Sequence, residues 1–506
     1  YYDLIKKNEI KKYVFDENIH QPKAVGLNFY NGFVNDHLKI SILDNKIKTN
    51  ILNTNFSCDI ENIWENKEVS DLVNFNFNYL GFLSTSLPMK EKLFLLEDHI
   101  KKSKNGGNNF ISEPYVISLK LIEIIRFISI NSIRKKIYEK YLYDQTLFLL
   151  RRLEKELMGN HFLYNGIGLL FSAYFFKNKK FFTLAEKILE GQLKEQFLKD
   201  GMHFELSPMY QGIIINDLLK CYDLIIKNKN KNKKLQKNLI NTLEKGIGYY
   251  NFICVDGRYP NFNDSFYLPE LNLKMINKKA SDLNIYPKKI KQSLDSGYRK
   301  YTSGETIIIF DAAQIGPRYQ PGHAHADNLT FNFYYKFKPV IVDTGTSVYE
   351  DTPRRFLERS TESHNTIKYR NQNSSEVWSS FRVGRIAETF IEYENENKII
   401  AYHDGYKNLN LIHKRSIEIY DKNFKIRDEV TNDKMVKSYL HFHPKINVQL
   451  VENKIILDNA LVIKLNNFIE VRIEPYFFAR GYNDLQKATK FAGEMRNWSE
   501  FIIKEI

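Results

Sequence analysis

The ten residues ETIIIFDAAQ, Glu305–Gln314, hold three isoleucines and a phenylalanine in one unbroken run. A run this short, β-branched and aromatic, predicts a buried strand rather than a helix. Upstream, from about residue 70 to 290, the apolar period is helical. SLKLIEIIRFISINSI (Ser118–Ile133), EKYLYDQTLFLLRRLEKELM (139–158), NGIGLLFSAYFF and GIIINDLLKCYDLII repeat their apolar residues every three or four positions. Downstream, LTFNFYYKF, PVIVDTG, LIHKRSIEIYD, NFKIRDEV and SYLHFHP continue the short strand pattern. The switch falls near Tyr298–Gly304. The expected organisation is therefore α+β and multidomain: a mixed N-terminal region over 1–70, paired antiparallel helices over 71–300, and antiparallel β-sheets packed as a sandwich over 301–506.

The chain has 506 residues, 43% hydrophobic and 26% charged, which fits a globular protein of two or three domains. Lys+Arg number 74 against 60 Asp+Glu, a formal charge of +14, which favours an anionic partner. Part of that excess sits in solvated runs such as KNKNKNKK (Lys227–Lys234), which reads as a loop between helices. Cys58, Cys221 and Cys254 are far apart, so neither a disulfide framework nor a cysteine-rich zinc site is expected. No apolar run reaches the ~18 residues of a membrane span. The first residue is Tyr1 rather than Met, as expected if the natural N-terminus lies further upstream, so no targeting signal can be read.

Four polar clusters stand out. Asn160 and His161 precede a small-residue helical run. DGMHFELSPMYQG carries His203, Glu205 and Tyr210, with Pro208 at an expected helix start. DGRYPNFNDS (Asp256–Ser265) is a glycine-bearing loop. GHAHADNLTF (Gly322–Phe331), VDTGTSVY and RSTESHNTI form the fourth. If GHAHADN is extended, His323, His325 and Asp327 share one face. Ionisable groups that dense at the start of a buried strand need hydrogen-bonded or metal-bound roles.

Taken in order, these motifs resemble the heparinase II/III family of polysaccharide lyases, with its related alginate lyases, from about residue 60 into the β region. NIWENKEVSDLVNFNFNYLGFL is similar to the N-terminal part of members associated with bacterial surface polysaccharides. The resemblance implies an incomplete α/α toroid followed by an antiparallel β-sandwich. It implies β-elimination on a uronate-containing glycan, and it favours a periplasmic or cell-envelope setting while leaving a cytoplasmic one open. A base takes the C5 proton and the O4 bond breaks. Asn160 and His161 would neutralise the carboxylate as charge builds. Tyr210 and His323 are both candidates for proton transfer, and the choice between them stays open. Glu205, Gln211 and Asn263 are candidate substrate contacts; Gln211 stands where many members carry histidine. His325, Asp343 and His364 match a zinc set, with Asp327 in support, and such a zinc would brace loops rather than perform the elimination. No organic cofactor is implied.

The expected partner is an acidic polysaccharide, a surface or capsular polymer among the candidates. Heparin itself is not singled out, because no long basic stretch is present. Nucleic-acid binding would rest on charge alone, with no recognition motif. Two alternatives remain: a non-catalytic carbohydrate-binding or assembly protein, and a glycoside hydrolase using Glu205 and Asp264 as paired carboxylates.

Overall fold

The computed structural model describes residues 21–35, 37–104, 109–228, 232–291, 295–420 and 423–506. Residues 1–20 of the expected N-terminal region and 229–231 of the lysine-rich loop lie outside them. The chain falls into two compact units, Tyr1–Lys194 with Leu218–Ile240 and Glu195–Asp217 with Asn241–Ile506. This division does not follow the secondary-structure switch, since helices Pro208–Lys227 and Lys233–Ile253 each contribute to both units.

The first unit opens with a three-stranded antiparallel sheet, Lys39–Leu43, Lys46–Ile51 and Thr54–Asp59. The sequence pattern here predicts only a mixed region. Its turns explain why. Asp44–Asn45 and Leu52–Asn53 all take positive φ, the geometry of tight hairpins that match strand twist. Leucine is an unusual residue there, so the second turn carries no compositional signal. Helices follow, among them Pro114–Ile130, Lys136–Arg151 and Gly159–Phe176. Pro114 occupies the first turn, where no backbone donor is lost. The helix from Gly159 crosses the one from Pro114 so closely that a Cβ on Gly168 would lie 2.8 Å from the Ser118 Cα.

The periodic run 139–158 predicted one helix, but it stops at Arg151. The Asn165 carboxamide oxygen accepts from the Glu154 N–H at 2.8 Å, and its nitrogen donates to the Glu154 carboxylate at 2.8 Å. These contacts come from the next helix, so no local pattern could report them.

In the second unit the strands begin at Tyr298, and all six residues of Thr306–Asp311 are buried, as ETIIIFDAAQ predicted. That strand sits in a four-stranded antiparallel sheet with 298–303, 331–335 and 338–341. An Ile341–Phe442 bridge joins it to a second sheet of 470–481, 484–495, 436–441 and 367–368. Facing them is an eight-stranded antiparallel sheet running from 389–394 to 448–451, with Trp498–Glu505 between 423–430 and 461–466. Ile308, Phe331 and Phe333 pack with Ile399, Ile417, Ile426 and Phe501 in one buried core. The alternation of buried and half-buried residues along Asn423–Val430 is what a sheet with one covered face requires. GHAHADN is not a strand. The chain turns through 322–330, with Leu329 at φ 64°, and extends only from Phe331. Among the described residues no helix is long and apolar enough to cross a membrane.

Candidate active site

In the second unit the polar clusters converge on one buried carboxylate. Asp264 is fully buried, and Arg355 grips both its oxygens, with Nη2 at 2.7 Å from Oδ2. His323 Nδ1 lies 2.9 Å from Oδ2, His325 Nε2 lies 2.9 Å from Oδ1, and Thr346 donates at 3.3 Å. Burial opposes ionisation, but Arg355 and the two imidazoles hold the Asp264 carboxyl well below the usual carboxylate range. An ionised carboxylate only accepts, so the facing nitrogens of both histidines carry hydrogen. In the neutral ring of His323 the lone pair is then on Nε2, the nitrogen 3.9 Å from Glu205.

The His323 ring lies against Tyr210, centroids 4.0 Å apart and planes 31° apart. The Tyr210 hydroxyl is 3.4 Å from that of Tyr349. Burial, with Tyr210 and Asp264 nearby, pushes the Tyr349 hydroxyl well above its ordinary value, so it stays protonated. The Arg355 guanidinium sits 5.1 Å from the Tyr349 ring and 5.3 Å from Phe381.

Local sequence explains the placement of these groups. Ser207 accepts from the Tyr210 N–H at 3.2 Å and donates to the Asp264 carbonyl at 2.7 Å, tying the helix start at Pro208 to the NDS loop. The Asp264 N–H donates to the His323 carbonyl at 3.1 Å. Arg355 rides on helix Pro353–Arg359, capped by Thr352. Sequence reading missed Arg355 and Tyr349 as site residues. A polar signal was present in PRRFLER, three residues after VDTGTSVY.

Two candidate substrate contacts turn inward. Gln211 is buried; its oxygen accepts from the His203 N–H at 2.6 Å, and its nitrogen donates to the Gly201 and Gly246 carbonyls at 2.9 and 3.0 Å. Asn263, at φ 53°, donates to the Leu206 carbonyl at 3.1 Å and accepts from the His325 N–H at 3.0 Å. Both position neighbouring loops, because their amides are engaged with backbone and, for Asn263, with the Tyr298 hydroxyl at 3.2 Å. Glu205 stays beside His323 and lies 3.7 Å from His203, whose ring burial and the neighbouring His323 hold down to about 3. Asp264 cannot serve as one of a hydrolase pair: its oxygens are occupied and no face reaches solvent.

The expected zinc residues do meet. His325 and His364 rings are 5.3 Å apart, and His364 Nδ1 lies 2.7 Å from Asp343 Oδ2. His325 Nδ1, His364 Nε2 and Asp327 Oδ2 are buried without a hydrogen-bond partner. Burial brings His325 down to about 4, against the pull of Asp264, so that nitrogen offers a lone pair. Burial, with Asp343 close by, pushes Asp327 up to about 6 despite the opposing pull of His364. As placed, no group of three His, Cys, Asp or Glu among the described residues encloses a metal. The two orphaned nitrogens fit a metal; Asp343, already on His364, fits an outer partner better than a ligand.

In the first unit, Asn160 and His161 sit in the opening turn of the Gly159–Phe176 helix. Met158 enters it at φ 59° and ψ −146°, a strained conformation for a side-chain-bearing residue. Asn160 is buried. His161 Nδ1 lies 2.9 Å from Glu154 Oε1, and its ring packs against Tyr115, centroids 4.6 Å apart and planes tilted by 39°. Glu154 is thus held by Asn165 and in turn orients His161, with 38% of that side chain exposed.

Two family models match adjoining parts of the chain: the heparinase II/III N-terminus over residues 120–292 and the heparinase II/III-like C-terminal domain over 286–496. A heparin-sulfate lyase of Bacteroides stercoris is 26% identical over 323 residues, 56% of this chain and 45% of that protein. One from Pedobacter heparinus is 25% identical over 299 residues, 53% of this chain and 43% of that protein. The chain thus spans less than half the length of these relatives. A crystal structure of heparinase III superposes with a TM-score of 0.68 over 98% of this chain and 88% of that one, at 15% identity. A heparan sulfate lyase from Pedobacter heparinus gives 0.59 over 89% and 79%, at 20% identity. At such identity the likeness shows the fold, helical α/α toroid then β-sandwich, which is the class read from the sequence.

Proposed function

The chain belongs to the heparinase II/III family, and from that premise we propose that it is a polysaccharide lyase cleaving a uronate-containing acidic glycan by β-elimination. One observation carries the reading: an Asp264-held His323 packs against the Tyr210 ring, 4.0 Å between centroids. His323 Nε2 takes the C5 proton, and Tyr210 gives a proton to the departing O4. The protonated Tyr349 hydroxyl steadies Tyr210 as its proton leaves. Glu205 orients the His323 side of the pair. In the first unit, Asn160 and His161, the latter oriented by Glu154, present the amide and imidazole donors that neutralising a uronate carboxylate requires. The heparin-sulfate lyase relatives support a glycosaminoglycan-like substrate; a capsular or surface polymer is one source of such a chain.

The test is a panel of uronate polymers followed by ultraviolet absorbance of the unsaturated product. A saturated, solvent-labelled end would mean hydrolysis, and binding without turnover would mean a non-catalytic relative. With a net charge of +14, capture of a polyanion should be electrostatically assisted, so kcat/KM on long chains should fall as salt rises. Insensitivity to ionic strength would move the substrate towards a neutral glycan.

The orphaned His325 and His364 nitrogens also support one zinc, with Asp327 completing the set and Asp343 holding His364 from outside. When bound, zinc would cross-link the loops that carry these residues. Elemental analysis after purification without added metal should find about one zinc per chain. His325→Ala should lower the melting temperature more than Tyr210→Phe does. A metal-free protein of equal stability would remove zinc from the proposal.

A further inference from the structure

The register of the Lys39–Asp59 sheet aligns Lys39, Asn50 and Asn55 in one row across the strands, and Ser41, Lys48 and Ser57 in the next. These six side chains share a face, because the alternating Ile47, Thr49 and Ile51 are buried on the other. Together with Ile40, Thr49 and Phe56 they line an open hollow of about 570 Å³. Asn50 donates to Asn55 at 2.7 Å, which fixes one amide pair across two strands. The two rows hold two ammonium groups, two amides and two hydroxyls, and no carboxylate. Neither lysine has an ion-pair partner among the described residues.

We propose that this face binds a stretch of acidic polysaccharide, its lysines meeting anionic groups and its amides and hydroxyls meeting sugar hydroxyls. The choice of glycan rests on the lyase reading above. Two lysines set among amides and hydroxyls suit a polymer that carries hydroxyls between its charges; Phe56 borders the same hollow, so single-stranded DNA is the polyanion to test against. The two rows contain no apolar side chain, and the next row on this face, Leu43, Lys46 and Asp59, sets its one exposed leucine beside a carboxylate, which an anionic membrane would repel. None of the residues at the candidate active site belongs to this sheet, so the two can be tested separately.

The probes are heparan sulfate and alginate chains cast in native gels, with dextran as the uncharged control and single-stranded DNA as the competing polyanion. Lys39→Ala/Lys48→Ala should bind the better glycan about five-fold more weakly, the loss expected for two exposed ion pairs. Lys454→Ala/Lys487→Ala, with the same charge loss on exposed residues of the other unit, should bind as the wild type does. Lys39→Arg/Lys48→Arg should retain binding, and unchanged melting temperatures would show that the sheet is intact. Equal weakening by the two alanine pairs overturns the proposal, as does no retention of the wild type by either glycan, or tighter retention by DNA. Elimination is read separately by ultraviolet absorbance. Wild type that binds through this face without ever forming unsaturated product sinks the lyase reading and leaves the sheet site standing. Product formation with undiminished binding by Lys39→Ala/Lys48→Ala sinks the sheet site alone.

Discussion

Tyr210→Phe is expected to lower kcat by about 100-fold or more, the usual size of a general acid–base contribution, with little change in KM. The substitution removes one hydroxyl and leaves the ring. Its packing on His323, at 4.0 Å between centroids, is retained, so His323 keeps its orientation and the fold its stability. What disappears is the proton source for O4 and the 3.4 Å contact with Tyr349. Because that proton moves only in the transition state, the loss should fall on kcat rather than on binding. Steady-state rates from the unsaturated product, beside a melting curve, make the measurement. Near-wild-type turnover would sink the elimination as drawn.

Asp264→Asn should give the largest loss of stability, about 3–5 kcal/mol at neutral pH, the range found when one member of a buried ion pair is removed. Arg355 would keep its charge with no counter-ion, and the new amide would turn donors towards a guanidinium and two imidazole N–H groups. The pH dependence has a definite sign. The folded carboxyl titrates well below its ordinary value, whereas the unfolded one titrates at about 3.9. A depressed folded value means stability that is fully present above about pH 4 and is lost as pH falls through the folded pKa. The wild type should therefore lose this contribution in acid, while Asp264→Asn, lacking it throughout, should show a shallower acid limb. The gap between the two should narrow below pH 4. Urea unfolding at pH 7, 4 and 3 would reveal it, and equal stability at pH 7 would contradict the role given to the pair. The same substitution frees His323, so turnover should fall even where the protein remains folded.

Patterns that repeat along the chain were legible. The apolar period marks the strand at Thr306–Asp311 and the helices before it, because burying one face of an element demands residues at its own spacing. Tyr210 and His323 were legible as chemistry-bearing types in motifs of known order. The N-terminal sheet was not, since Leu52 hides its second turn and its outer face is polar. Gln211 and Asn263 read as substrate contacts because nothing local shows that backbone groups at Gly201, Gly246 and Leu206 would claim their amides.

The sequence by itself determined the class of the fold, the place where helix gives way to strand, and the motifs that carry Tyr210 and His323. Only the tertiary structure decided what Asp264 is. Read alone, it was a possible hydrolase carboxylate; folded, it lies between His323, His325 and Arg355, 59, 61 and 91 residues further along the chain. A buried charge takes its function from the groups that neutralise it, and those groups are neighbours in space rather than in sequence.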